Sequence, residues 1–541
     1  MNQHFNLIEE PWIPCSLLNS GEQRLFGLRD VFTNAHGIRE IEDDSPLVIV
    51  ALHRLLLAIL HRNFGPRTMN RWRDLWMRGA WDMPTLDAYF TKHARCFDAF
   101  DSEHPFAQVS VMPGTEIHPV TKLVRECASG NNATLFDHHF NDVSDGISPA
   151  VAMQHLLAFQ LFAGAGGVSM PFNFTDAPLA RGRSIMAVGD NLFETLCLNL
   201  VRYTDERPIP WDDDDDPPIW ERAIFSTPSK SGTIPNGYVD YLTFQVRRVH
   251  LVPPDTSGVV RWCQIQQSYK FSGEGRPDPF LSYQRSEERG YVPVLFHLER
   301  ATWRDSGTLF QPSAEDRTRP AVFDHLAQVR LLQDNGEIVA RSAYRFSALG
   351  ARLSSGQPDI IFWRHERLPL PLVYLTDGDL RATLDNALSH AERVGRALDS
   401  AISSFVRWVF VPEPHDDPKE RKKQYSDKSK AIGALKAELA PGRRYWPALD
   451  TAFAAFLVAQ AKERAASGTT GQIPISPAFR AWVDAVRQAA RDDFRAMVGS
   501  QDATARVLRA RVVAEQVFNG ALKRARDAAG VTAEEEASGD E

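Results

Sequence analysis

Residues 476–498 read SPAFRAWVDAVRQAARDDFRAMV. Ser476 followed by Pro477 is typical of a helix start, because serine caps free backbone N–H groups and proline suits the first helical position. Alanine, leucine, arginine and glutamate dominate all of 377–541, which predicts further helices. These run over 378–410, 428–440, 446–465 and 502–529. Long helices with short connections predict an antiparallel four-helix bundle over 377–530.

Residues 231–376 have a different composition, rich in β-branched and aromatic side chains. The pattern predicts strands over 242–252 and 291–298. Asp334-Asn335-Gly336 lies between two short apolar runs, 329–332 and 338–344. Asn-Gly in that position predicts a β-hairpin. This part of the chain is therefore expected to be β-rich.

Residues 1–230 mix short strands with helices, which apolar spacing predicts over 46–61, 151–161 and 192–203. The predicted fold class is α+β. A large mixed domain, 1–376, contains the β-rich part and precedes the C-terminal four-helix bundle. Residues 531–541 are expected to form an acidic disordered tail. A length of 541 residues agrees with two or three domains.

Composition excludes several classes of protein. The formal net charge of −8 argues against a free-standing protein that coats nucleic acid. The longest apolar stretch, 47–60, is interrupted by His53 and Arg54 and predicts a buried helix rather than a membrane span. The amino terminus has no signal-peptide pattern. The cysteines are scattered, lack C-x-x-C spacing and favour a reducing cytoplasm. They are Cys15, Cys96, Cys127, Cys197 and Cys263.

Motifs for catalysis or for metal and cofactor binding are not apparent. Residues 164–167, GAGG, are followed by no lysine, as a phosphate-binding loop requires. His138 and His139 are adjacent, and adjacent side chains in extended backbone point in opposite directions. The run Asp212–Asp216 stands between prolines and predicts an exposed loop. We predict no catalytic residue, no metal and no cofactor, with a metal-dependent nuclease using Asp212–Asp216 as the alternative.

The densest basic stretch is 419–430, KERKKQYSDKSK. One interpretation is a solvated loop between bundle helices. The other is a loop that contacts phosphates, aided by Tyr425. Both stay open from the sequence.

Three motifs occur in one order along the chain. Residues 5–14 read FNLIEEPWIP, 104–108 read HPFAQ and 129–138 read SGNNATLFDH. Together they resemble the CasA family, the large subunit of the type I-E CRISPR Cascade complex. The resemblance implies a non-catalytic subunit that recognises the PAM in double-stranded DNA, helps open the duplex and recruits a helicase–nuclease. Implied partners are the other Cascade subunits, the 5′ handle of the guide RNA, target DNA and that nuclease, with no membrane.

The resemblance also implies site residues. A loop on the guide-RNA handle would use Asn131, Asn132, Thr134, Phe136 and His138. The PAM duplex would meet Gly166, Gly167, Val168, Ser169 and a lysine finger at Lys270. A wedge beside the PAM would be formed by Gly356, Gln357 and Pro358. The remaining alternatives are the large subunit of another type I subtype and a pure scaffold without DNA contact.

Overall fold

The computed structural model describes most of the chain. The described residues are 4–125, 146–166, 172–204, 216–222, 231–235, 237–272, 278–339, 344–354, 359–467 and 475–531. Two compact units are present. The first contains residues 1–298 and 312–367, and the second contains 299–311 and 368–541. The division thus falls near residue 368 rather than at 377, and a short internal segment belongs to the second unit.

Small sheets form the β part of the first unit. Three antiparallel sheets have the strand orders Gln23–Phe26, Ile13–Leu17, Ile38–Ile41; Gly290–Pro293, Tyr283–Ser286, Arg317–Thr318; and Ile117–Pro119, Trp262–Gln267, Arg247–Leu251. A further sheet has the order Ile360–Leu370, Tyr344–Leu353, Ser184–Val188. Gly232–Thr233 and Lys270–Phe271 pair in parallel.

The helices of the first unit contribute buried side chains to its interior. They are Leu28–Thr33, Pro46–Phe64, Met69–Arg78, Met83–Lys92, Pro149–Phe162, Leu192–Asn199, Tyr238–Thr243 and Ala321–Asp334. Pro46–Phe64 is the central one, since every residue from Pro46 to His61 is buried. Its length and composition would allow it to cross a membrane, but 83% of its most apolar window is buried inside the protein. The predicted buried helix is confirmed.

The predicted hairpin around Asp334-Asn335-Gly336 is wrong. Ala321–Asp334 is a helix, and the three residues form its C-terminal end. The N–H of Glu337 donates to Leu332 O (2.9 Å) and that of Gly336 to Gln333 O (3.0 Å). Gly336 has φ +72, as this helix-ending motif requires. Asn-Gly suits both a tight hairpin and a helix end, and burial of Phe323, Leu326 and Val329 on one face decides for the helix.

Two other strand predictions are too long. Within 242–252 the strand is Arg247–Leu251, preceded by the helix Tyr238–Thr243. In place of the strand over 291–298, the structure has the strand Gly290–Pro293. The helix over 192–203 also ends earlier, at Asn199. Secondary-structure propensity contains no information about the tertiary packing that ends these elements.

The second unit is helical, as predicted. Its helices are Ser306–Phe310, Val373–Thr376, Gly378–Phe410, Pro418–Asp427, Ser429–Leu439, Tyr445–Ala448, Asp450–Ser467, Pro477–Gly499 and Ala505–Asp527. Ser476 caps the helix at Pro477 by accepting from the N–H of Phe479, which confirms the predicted start. Trp482 Nε1 donates to Ala387 O (2.9 Å), and the Phe494 and Phe518 rings stack at 4.8 Å. The mixed fold with a helical C-terminal region is confirmed, and the four-helix bundle stays a prediction.

Trp303 explains why 299–311 belongs to the second unit. Its indole N–H donates to Asp450 (2.7 Å), and its ring stacks on Phe453 at 4.6 Å. Arg304 pairs with Glu392 (2.7 Å) and lies over the Trp446 ring. A buried tryptophan with a satisfied N–H is a strong anchor.

The basic stretch 419–430 is helical rather than a loop. The helix Pro418–Asp427 is capped by Asp417, whose carboxylate accepts a hydrogen bond from the N–H of Lys419. No residue of this helix is buried. Arg407 lies over the Tyr425 ring at 5.4 Å, so Tyr425 is used within the second unit. Whether the stretch contacts phosphates stays open.

Candidate nucleic-acid interface

Lys270 lies on a two-residue strand that pairs with Gly232. Its neighbours Tyr269 and Phe271 both pack against Phe244, at ring distances of 6.2 and 5.5 Å. Side chains alternate between the two faces of a strand, so the anchoring of the neighbours turns Lys270 outward. Lys270 is exposed. The position therefore offers a cation at the surface on an anchored backbone.

The glycine segment, defined as residues 164–176, is described up to Gly166 and again from residue 172. Gly166 has φ +140, a conformation that only glycine adopts readily, and its N–H donates to Phe174 O (3.3 Å). The N–H of Ala165 donates to the Asp176 carboxylate (2.7 Å). These bonds bring the two ends of the segment together. Gly167, Val168 and Ser169 lie outside the described residues.

The guanidinium of Arg247 binds both ends of the glycine segment. Its Nη2 donates to Gly164 O (3.1 Å) and to Thr175 O (2.8 Å), and its guanidinium lies 4.4 Å from the Phe174 ring centre. Only 1% of Arg247 is exposed. Burial, with a smaller effect of the nearby Arg125, lowers the pKa of Arg247 to about 9, so the charge persists at neutral pH.

Gln267 connects the glycine segment to the lysine strand. Its Oε1 accepts from the Thr175 N–H (3.0 Å) and from Arg247 Nη1 (3.1 Å). Its Nε2 donates to Tyr269 O (3.1 Å), directly before Lys270. Gln267 is fully buried. One side chain thus sets the relative position of two elements that the resemblance assigns to the PAM duplex.

Arg181 connects the glycine segment to the hairpin at whose tip the resemblance places the wedge. Its Nε donates to Asp176 (2.7 Å), the residue that also binds Ala165, and its Nη1 donates to Ser354 O (3.5 Å). Ser354 closes the hairpin, because its N–H donates to Asp359 O (2.9 Å) between the strands Tyr344–Leu353 and Ile360–Leu370. Gly356, Gln357 and Pro358, at the tip, lie outside the described residues.

The loop that the resemblance assigns to the guide-RNA handle lies outside the described residues, with Asn131, Asn132, Thr134, Phe136 and His138. The chain leaves this loop at Gly146 and Ile147. Ile147 exchanges two backbone hydrogen bonds with Val260 (2.9 and 2.8 Å). Gly146 has φ +74, and a Cβ there would lie 2.8 Å from Val259 Cγ2, so the return requires glycine. Arg125, on the other side of the loop, is close enough to influence the pKa of Arg247.

The two motifs in described residues have structural roles. Trp12 is fully buried, and its indole N–H donates to Leu7 O (2.9 Å), which folds the amino-terminal motif on itself. In HPFAQ, Phe106 is core, and Gln108 joins two segments by donating to Ala99 O (2.8 Å) and accepting from the Leu251 N–H (2.8 Å). Both motifs therefore contribute to the fold through these buried residues.

Asp216 does not belong to an exposed loop, which corrects the prediction for that residue. It is 3% exposed and accepts from Tyr203 OH (2.7 Å) and from the N–H groups of Val239 and Asp240. Its carboxylate is used to cap a helix start, which is a structural role. Asp212 to Asp215 lie outside the described residues. Within the described ranges, no three His, Cys, Asp or Glu side chains converge as metal ligands.

The family model described as CRISPR-associated protein Cse1 matches residues 6–492. The chain belongs to the Cse1 family. A relative described as CRISPR-associated protein CasA/Cse1, from Thermus thermophilus, is 32% identical over 535 residues, covering 96% of this chain and 97% of its own. The family resemblance predicted from the three motifs is confirmed.

Solved structures support the same fold. Cse1 from Acidimicrobium ferrooxidans aligns with a TM-score of 0.77 at 26% identity, over 97% of this chain and 98% of its own. A chain of a CRISPR RNA-guided surveillance complex aligns with a TM-score of 0.71 at 22% identity, over 95% and 99%. At that identity the second likeness concerns the fold alone.

Sequence reasoning missed the residues that connect the glycine segment to the strand of Lys270 and to the hairpin: Asp176, Arg181, Arg247 and Gln267. One signal was available. Arg247 occupies the inward register of a strand whose next inward residues are Val249 and Leu251. A charged residue in such a register indicates a buried, hydrogen-bonded charge. The partners of Arg247 could not be read from the sequence.

Proposed function

We propose that this chain is the non-catalytic large subunit of a type I-E CRISPR surveillance complex, Cascade. It recognises the PAM in double-stranded DNA, helps open the duplex for guide-RNA pairing and recruits a helicase–nuclease, in the cytoplasm. Its partners are the other Cascade subunits and the 5′ handle of the guide RNA. The wedge, the glycine segment and Lys270 act on the DNA.

The observation that carries this proposal is the connection of three elements through side-chain hydrogen bonds. Arg247 and Gln267 join the glycine segment to the strand of Lys270. Asp176 and Arg181 join the same segment to the wedge hairpin. Glycine allows close approach of backbone to base edges, and lysine donates to minor-groove acceptors. A wedge fixed relative to both can use PAM binding to offset the unstacking of the next base step, about a few kcal/mol.

Membership of the Cse1 family and the fold shared with a chain of an RNA-guided surveillance complex support the assembly role. The acidic net charge of −8 fits a subunit that inspects a short duplex while the guide and other subunits supply most of the binding. A nuclease based on Asp212–Asp216 is disfavoured, because the carboxylate of Asp216 is buried in hydrogen bonds to its own chain.

The test is target binding by a reconstituted, guide-loaded complex on duplexes with and without the PAM. Preparations without the large subunit, with wild type, with Lys270→Ala and with Gln357→Ala are compared. Lys92→Ala is the matched control, since Lys92 is an exposed lysine at the end of the helix Met83–Lys92.

PAM-dependent binding is expected with wild type and Lys92→Ala, and both other variants should lose about tenfold while still assembling. A loss in one variant alone would assign that residue and remove the other. If neither variant changes binding although the wild-type subunit is required, the assignments of Lys270 and Gln357 fail. A subunit whose addition changes nothing would be a scaffold without DNA contact.

A further inference from the structure

The helix Pro418–Asp427 carries a row of lysines on its outer face. Lys422 and Lys423 follow Lys419 by three and four residues, so the three side chains share one face of the helix. All three are exposed, and we call them the lysine stripe. The half-buried residues of the helix lie on the opposite face: Arg421, Gln424 and Tyr425.

The opposite face attaches the helix to the rest of the second unit. The N–H of His415 donates to Gln424 Oε1 (2.9 Å). The guanidinium of Arg407, on the helix Gly378–Phe410, lies 5.4 Å from the centre of the Tyr425 ring. These contacts fix the rotation of the helix about its own axis, and the lysine stripe therefore faces solvent.

The lysine stripe has no counter-charge. Its three ammonium groups make no hydrogen bond and no ion pair with any residue that the structure describes. Lys436, on the next helix, differs because it pairs with Asp399 (2.8 Å). Like charges three and four residues apart destabilise a helix, and this helix buries no side chain that would offset the repulsion. An anionic partner would remove that repulsion.

The positive charge is concentrated here against the balance of the chain. Residues 419–430 contain six cations and two carboxylates, whereas the whole chain has a formal net charge of −8. The lysine stripe is therefore not the surface of a generally basic protein. A local excess of this kind indicates a polyanionic partner.

The dimensions of the lysine stripe fit a duplex backbone. A helix rises about 1.5 Å per residue, so Lys419 and Lys423 lie about 6 Å apart along the axis. One strand of a DNA duplex presents a phosphate about every 3.4 Å of its axis, so the stripe spans about two phosphates. Single strands are bound by exposed aromatic rings beside the cations. The one aromatic residue of this helix, Tyr425, lies against Arg407 instead, which favours a duplex.

We propose that the lysine stripe binds the phosphate backbone of double-stranded target DNA, as a contact separate from the PAM site. Phosphate contacts position a duplex without reading its sequence. The lysine stripe thus adds affinity for any duplex and keeps the complex on DNA while Lys270 and the wedge inspect the PAM. The inference rests on the proposed function, which brings duplex DNA to this chain.

The test is the salt dependence of duplex binding by the guide-loaded complex. The stripe variant combines Lys419→Gln, Lys422→Gln and Lys423→Gln, and glutamine has nearly the helix propensity of lysine, so the helix is kept. Dissociation constants are measured between about 50 and 200 mM salt, on duplexes with and without the PAM. A second variant with arginine at the same three positions keeps the positive charge.

A control variant separates a local contact from a loss of overall charge. It combines Lys462→Gln, Arg506→Gln and Lys523→Gln, which remove three exposed cations of the same unit. The change in net charge equals that of the stripe variant. Lys462 lies on another helix, and Arg506 and Lys523 lie near opposite ends of the helix Ala505–Asp527, so the three form no stripe.

The stripe variant should bind duplexes with a weaker salt dependence. Each phosphate contact contributes about 0.9 to the slope of log K against log salt, so the slope should decrease by about 2. The affinity deficit relative to wild type should shrink about tenfold between about 50 and 200 mM salt. The arginine variant should keep the wild-type slope, and the control should lose less than about 0.5. The ratio of affinities with and without the PAM should stay the same in every variant.

An unchanged slope in the stripe variant, or an equal decrease in the control, would overturn the inference. So would a stripe variant that keeps its slope but no longer assembles with the other subunits, because the lysines would then bind an acidic protein surface. Failure of the proposed function has a different signature. Wild type itself would then show no preference for the PAM, whatever slope the stripe variant gives.

Discussion

Arg181 donates from Nε to the carboxylate of Asp176 over 2.7 Å. The same carboxylate binds the N–H of Ala165, and the same guanidinium reaches Ser354 O at the base of the wedge hairpin. The contact therefore joins a glycine segment to a hairpin that lies more than 170 residues away along the chain. Both side chains are about one-third exposed, so the pair adds little stability. The pair matters because it fixes the position of the glycine segment relative to the hairpin.

Arg181→Ala should separate PAM binding from duplex opening. We expect the free energy of unfolding to change by less than about 1 kcal/mol, as for other exposed pairs. Target binding should weaken about fivefold on duplexes that require opening, and little on DNA already mismatched beside the PAM. Arg330→Ala removes a similar pair, with Asp334 at 2.7 Å, and should affect neither measurement. Equal losses on both duplexes would contradict the positioning role.

Arg247→Met should strongly destabilise the first unit. The change leaves Gly164 O and Thr175 O without a buried donor and removes one of the two donors to Gln267 Oε1, which we expect to lower the free energy of unfolding by about 3 kcal/mol. Chemical denaturation measures the loss. Arg248→Met is the control, because Arg248 faces the other side of the strand and makes one long bond of 3.5 Å to Gln266. A loss below about 1 kcal/mol for Arg247→Met would show that the network is not needed for folding.

Buried histidines should make the chain sensitive to acid. Burial lowers the pKa of His61 and His325 from the ordinary 6.5 to about 3, and within the described residues their ring nitrogens make no hydrogen bonds. The unfolded chain binds protons below pH 6.5 while the folded chain does not. Stability is therefore full above pH 6.5 and falls as the pH decreases, by about 2 kcal/mol for each histidine at pH 5.

His61→Phe tests this sign, because phenylalanine keeps the ring between Tyr203 and Tyr238 but takes up no proton. Denaturation between pH 5 and 7 should show a slope smaller by about 1.4 kcal/mol per pH unit below pH 6.5. His297→Gln, at an exposed position, is the control and should leave the slope unchanged. An unchanged slope in His61→Phe would mean that His61 is protonated in the folded chain.

Gly237→Ala should destabilise the protein at the cap formed by Asp216. Gly237 has φ +118, and an added Cβ would lie 2.3 Å from the Asp216 carboxyl carbon. We expect a loss of about 2 kcal/mol or more in the free energy of unfolding. Gly433→Ala is the matched control, for which we expect the free energy of unfolding to change in the opposite direction. It lies in a helix with open space around it and should gain up to about 1 kcal/mol.

Local signals predicted the elements that depend on local energies. The Ser476-Pro477 start and the long helices after residue 377 follow from capping and composition, which act within a few residues. Asn335-Gly336 was ambiguous for the same reason. It suits two local structures, and only burial of the preceding helix face decides between them. The three motifs identified the family. The two motifs that lie in described residues, 5–14 and 104–108, take part in core packing.

The sequence by itself determined the helical C-terminal region, the buried helix beginning at Pro46, and membership of the Cse1 family. Only the tertiary structure decided that Asp216 is buried as a cap and that Arg247 and Gln267 hold the glycine segment beside Lys270. The physical reason is the distance along the chain over which each interaction acts. Propensity and capping act between neighbours, whereas the burial of a charge depends on acceptors such as Gly164 O, 83 residues away along the chain.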